Sequence, residues 1–238
     1  MSGRDYTGPG RPKRDGLRPP ASFGNIDRVK LHTAIFFAAW LAAAAHAQPA
    51  VEFVAASAAH EPAARAYREI WEQDGARIVA ALEARTCMRF PETALTAVVG
   101  DEVSDSGGPE HAMSLRASYD LDVKRATLVH ELAHRHLWQL TQRLDDVDGH
   151  RTLYLILDRV WADVWGQEFA AARVRGEASW HATYDYAAAW DWANKLTVDQ
   201  RGVLWNRLLA MNDKPYCYAV YLDQQTAAAR PLPTSLTP

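Results

Sequence analysis

"TLVHELAHRHLWQL", residues 127–140, decides how this chain is read. Leu128, Val129, Leu132 and Ala133 carry the pattern of a buried helix. Inside that run stand two imidazoles, His130 and His134, with the carboxylate of Glu131 beside the first. Residues four apart on a helix project from one face, one turn above the other. Two histidines so placed can hold one zinc ion from two sides, at about 2.0–2.1 Å from each ring nitrogen. Glu131, turned by one residue, falls beside the metal rather than on it, where it can take a proton from a zinc-activated water. Burying all three groups without a partner would be costly, so a bound metal is the expectation.

Outward from this helix the pattern is a little strand followed by many helices. "VEFVAA" (51–56) is apolar and strand-like, and 62–85 reads as a helix opened by Pro62. "TALTAVVGD" (93–101) and "AMSLRASYD" (112–120) read as strands, joined by the loop "VSDSGGPEH" (103–111). The motif helix is expected from about Val123 to Leu144, then a turn at "DDVDG" (145–149). A second helix is expected over 150–175, a third over 177–196, and a fourth capped by Thr197 with Gln200 in the capping-box position. The fold class is therefore α+β, mainly helical, with a small β-sheet preceding the motif helix.

The first 47 residues read differently. Residues 1–28 are rich in Gly, Pro and Arg and read as a disordered leader. Residues 29–47 have a lysine, a twelve-residue apolar run from Ala34 to Ala45, and the small-x-small site Ala45-His46-Ala47, the pattern of a secretory signal peptide. A start at Val29, with residues 1–28 mis-assigned, explains the unusual leader; an uncleaved membrane anchor is the alternative to cleavage. The run is shorter than the roughly 20 residues a span requires. The expectation is an exported bacterial protein, periplasmic or extracellular, with one domain over 48–222 and a loose tail over 223–238.

The whole chain carries 26 basic and 29 acidic residues, a net charge of −3. Removing 1–47 takes away seven basic and three acidic residues, leaving 19 and 26 and a net charge of −7. A nucleic-acid partner is not expected, since phosphate binding needs clustered Lys and Arg. Cys87 and Cys217 permit one disulfide in an exported chain, or stand as two buried thiols.

"HELAH" on a helix after a strand resembles the zincin superfamily of zinc metallopeptidases, over residues 94 to about 170. The resemblance implies a peptide or protein substrate, zinc as cofactor, Glu131 as general base, and "MSLRAS" (113–118) as the strand along which substrate pairs. Leu137 and Leu140 stand where the metzincin pattern has glycine and histidine, which excludes that group. A catalytic zinc needs a third protein ligand. His150 is the best candidate, its spacing from His134 being similar to that of the SprT-like metallopeptidases; Asp158, Asp163 and Glu168 are its rivals. Asp158 is also a candidate partner for the His150 N–H. Tyr154, Tyr119, Arg116 and His181 are candidates to stabilise an oxyanion, each with ordinary packing as the alternative. His136 points away from the His130 face and reads as packing or surface, Trp161 and Trp165 as core, and "SDSGG" (104–108) as a lid or a connecting turn. The alternative function is a catalytically silent protein of the same fold that binds metal or a partner.

Overall fold

The computed structural model describes residues 48–91, 94–108, 110–144, 150–180 and 184–218. The expected leader, signal segment, 145–149 turn, His181 and C-terminal tail lie outside them.

Three strands, β1 (Ala50–Ala55), β2 (Ala94–Gly100) and β3 (Met113–Arg116), form a parallel sheet in that order. Between β1 and β2 runs α1 (Glu61–Thr86), 26 residues long, with Pro62 in its first turn as expected. Its buried face carries Tyr67, Ile70, Trp71, Ile78 and Leu82 at helical spacing. The chain leaves it through Cys87, whose left-handed φ of 56° turns it back towards β2.

β2 and β3 are parallel, so the segment joining them must travel the length of the sheet before β3 begins. It returns along the outer edge of β3, where Asp105 pairs antiparallel with Ser114 through both backbone hydrogen bonds, 3.0 and 2.8 Å. Ser104 Oγ takes the Arg116 N–H at 3.0 Å. These contacts correct the expectation for residues 113–118: the outward backbone of β3 at Ser114 is already paired within the chain. Gly107 makes the turn possible, since at φ 82° any Cβ would lie 2.2 Å from the Ala112 carbonyl oxygen.

The motif helix α2 (Leu121–Leu137) is capped by Asp120, whose side chain accepts the Val123 N–H at 2.8 Å. It ends seven residues before the expected Leu144. There Asn212, at the end of the last helix, accepts the N–H groups of Thr141 and Gln142 at 2.8 and 2.9 Å and turns the chain.

The expected second helix is instead three. They are α3 (His150–Tyr154), α4 (Leu157–Trp165) and α5 (Gln167–Ala178). Gly166, at φ 90°, redirects the chain between α4 and α5. The third becomes α6 (Tyr186–Asn194), with Asp185 capping at Ala188 N–H. The last, α7 (Val198–Met211), has the expected capping box of Thr197 and Gln200. Trp161 is fully buried as expected, its indole N–H on the Ala126 carbonyl; Trp165 is half-buried and donates to Asp74.

Cys87 and Cys217 form the disulfide, 130 residues apart in sequence. It ties the segment after α7 to the end of α1. Closing so long a loop restricts the unfolded chain by about 5 kcal/mol in the chain-entropy picture. No helix among the described residues is long and apolar enough to cross a membrane.

Candidate functional site

α2 and α3 bring His130, His134 and His150 together. Their ring centroids are 4.8, 5.3 and 5.0 Å apart in pairs, nearly an equilateral triangle. One ligand atom from each lies within 4.8 Å of the others, close enough to hold a metal ion. His130 and His150 are buried and His134 is half-buried. Each arrives by the route expected of it: two from adjacent turns of α2, the third from the first residue of α3.

The rivals for third ligand are committed elsewhere. Asp158 accepts from Arg201 Nη1 with both carboxylate oxygens, at 2.8 and 3.0 Å, and makes no hydrogen bond to His150 among the described contacts. Asp163 forms a two-pronged pair with Arg85, both contacts at 2.6 Å. Glu168 is exposed in the first turn of α5.

Glu177, near the end of α5, is the functional residue that the sequence did not reveal. Its carboxylate is 2% exposed and accepts from three groups: His130 Nδ1 at 2.9 Å, the Tyr154 hydroxyl at 3.0 Å and the Trp190 indole N–H at 3.1 Å. A carboxylate at Nδ1 keeps the proton on that nitrogen and leaves Nε2 with its lone pair free for coordination. That lone pair faces His134 Nε2 at 3.1 Å. Two nitrogens this close need a proton or a cation between them. Two nitrogens holding one tetrahedral metal ion stand about 3.3 Å apart, so the donor set fits. Burial alone would push the His130 pKa down, but the Glu177 charge and hydrogen bond outweigh it and raise it. Among the described residues His134 has no such carboxylate; burial, then the positive charge of His130 and His150, hold its pKa well below the ordinary value.

Glu131 is 7% exposed, and burial, more than it is offset by His130, raises its pKa to about 7, with Asp105 and Glu177 adding to the rise. A carboxyl poised there can take and return a proton near neutral pH. It opens, with His130, into a cleft of about 350 Å³ whose other walls include Ser104, Arg116, Tyr119 and Tyr186. A larger groove, about 470 Å³, lined by Ala63, Ala66, Leu121 and Lys124, holds none of these groups.

Of the oxyanion candidates, Tyr154 is tied to Glu177, whereas Arg116 and Tyr119 line the cleft. Tyr186, unremarked in sequence, also lines the cleft and stands beside the imidazole cluster, its ring 4.8 Å from that of His150 and 6.4 Å from that of His130. Burial, then the charges of Glu131 and Glu177, raise its pKa, so its hydroxyl keeps its proton. "SDSGG" is a pinned turn: Arg135, one turn after Glu131 on the same face of α2, donates to the carbonyls of Ser106 and His111 at 2.6 and 3.1 Å.

Comparison with known proteins finds no matching protein-family model, no matching curated protein and no matching solved structure. The functional reading rests on the site itself.

Proposed function

We propose that this chain is a zinc-dependent metallopeptidase of zincin type. The observation that carries the reading is that three imidazoles converge while Glu131, buried next to the first of them, opens with His130 into one cleft. His130, His134 and His150 would hold the ion, a three-nitrogen set suited to zinc with a further position left for catalysis. Bound there, zinc supplies Lewis acidity that polarises the substrate carbonyl and makes water acidic.

The remaining work falls to side chains of this chain. Glu131 accepts the proton of the attacking water and passes it to the leaving amine, a role that suits a pKa of about 7. Glu177 holds the His130 ring in the tautomer that ligates, and Tyr154 and Trp190 hold Glu177. Tyr186 offers a protonated hydroxyl to the oxygen that gains charge at the reacting carbonyl. Export to an oxidising compartment completes the reading and is supported by the Cys87–Cys217 bridge.

The test is elemental analysis of purified protein together with a proteome-derived peptide cleavage assay, using Glu131→Gln as control. One zinc per chain and cleavage that disappears in the variant are expected. Protein without zinc, or cleavage unchanged in Glu131→Gln, would overturn the reading; zinc without any cleavage would favour a silent metal-binding protein.

A further inference from the structure

We infer that the cleft beside Glu131 selects a carboxylate on its substrate, and that Arg116 is the residue that binds it. The inference deepens the peptidase reading and rests on it for the substrate being a peptide.

Arg116 is the last residue of β3 and, among the described residues lining the cleft, the one Lys or Arg. Its backbone is fixed from both sides: the N–H donates to Ser104 Oγ at 3.0 Å, and the carbonyl accepts from the Tyr67 hydroxyl at 3.1 Å. The side chain is steered as well. Nε donates to the Glu102 carbonyl at 3.3 Å, and the guanidinium carbon lies 5.8 Å from the Tyr119 ring centre. These contacts aim the fork without using its two terminal nitrogens. Among the described residues no carboxylate pairs with it, whereas Arg85 and Arg201 each have one. A guanidinium held in place with its planar pair of donors uncommitted matches a carboxylate in two-pronged geometry.

A second observation points to a polar occupant. Thr127, on α2 one turn before Glu131, is 2% exposed and lines the same cleft, yet its hydroxyl has no hydrogen-bond partner among the described residues. Buried hydroxyls are ordinarily paired. Here a ligand group in the cleft supplies the missing partner. Tyr119 and Trp180, stacked with ring centres 6.1 Å apart, form an aromatic side to the same space. At about 350 Å³ the cleft is near the small end of ligand pockets, which suits one or two residues rather than a long segment. The carboxylate therefore belongs either to the end of a peptide chain or to an Asp or Glu side chain close to the bond that reacts.

The experiment measures binding rather than turnover. Zinc-loaded Glu131→Gln protein is titrated calorimetrically with two pairs of short peptides. One pair has a free or an amidated C-terminus; the other has Glu or Gln within an otherwise identical amidated peptide. In at least one pair the carboxylate member should bind about tenfold more tightly, a modest value for a charge-assisted hydrogen bond in a part-open cleft. The pair that shows the preference identifies the source. Adding Arg116→Gln should bring that ratio to within about twofold, and Arg116→Lys, which keeps the charge and loses the fork, should fall between. Equal affinities in both pairs, a ratio that survives Arg116→Gln, or no binding of any peptide would overturn the inference. The peptidase reading fails separately: a preference that survives here, with no cleavage of the preferred peptide when Glu131 is intact, would sink the enzyme and keep the anion site.

Discussion

His134 and His136 stand two residues apart on α2, and the helix sends them in different directions to different ends. His134 joins the triangle with His130 and His150. His136 is fully buried against α1, stacked on Phe90 with ring centres 5.4 Å apart, and its Nε2 lies 2.7 Å from Thr86 Oγ1. That hydroxyl donates to the Leu82 carbonyl and receives the Met88 N–H, so the histidine must be the donor in its contact with it. His136 is thus a neutral packing residue with one tautomer. Burial does not separate the two roles, because both faces bury imidazole. Convergence with other donors, and a carboxylate such as Glu177 behind one of the rings, does.

The contrast can be broken first at Glu131. Glu131→Gln is expected to lower kcat by about a thousandfold or more while leaving the bound metal in place; peptide cleavage beside metal analysis of the same sample checks it. His136→Gln, by comparison, should leave the site's metal content intact. Next in size is Glu177→Gln. It should weaken metal affinity about 10- to 100-fold, read by competition with a chromophoric chelator, and an unchanged affinity would remove Glu177 from the site. Tyr186→Phe should lower kcat by about tenfold or more with little change in KM if its hydroxyl meets the developing charge.

The last test belongs to the packing face and is read in stability instead of catalysis. Burial pushes the His136 pKa down to about 3, so the folded chain refuses a proton that the unfolded chain accepts at its ordinary value near 6.5. Its contribution to stability is whole above about pH 6.5 and falls as pH drops towards 3, by at most about 1.4 kcal/mol per pH unit. Metal-free protein should therefore unfold more readily on acidification, and His136→Gln should flatten that dependence in thermal melts between pH 4 and 7.

Much of this was legible in the sequence because it is local. The i, i+4 histidines, Pro62, the Thr197–Gln200 capping box and the alternation of Met113 and Leu115 need only a few consecutive residues. The position of His150 was legible because Gly149 and the aspartates before it mark a helix start in the sequence, and a helix does begin at His150. Glu177 was not, because the run from His150 to Arg175 keeps helical periodicity through its breaks. A single unbroken helix would carry Glu177 away along its axis. Gly166 was the one signal, a glycine inside a helical pattern; it bends the chain so that α5 returns to His130. The early end of α2 was hidden for the same reason, since Asn212, about 70 residues on, imposes it.

Arg135 gives the cleft its mechanical character. Lying over Trp138 and bonded to Ser106 and His111, it fastens the loop that gives Val103 and Ser104 to the cleft wall onto the helix that carries two of the three imidazoles. Wall and floor are thereby tied to each other. A cleft built this way admits its ligand through an aperture already set, so a guest is chosen at the threshold by fit instead of being enclosed after arrival.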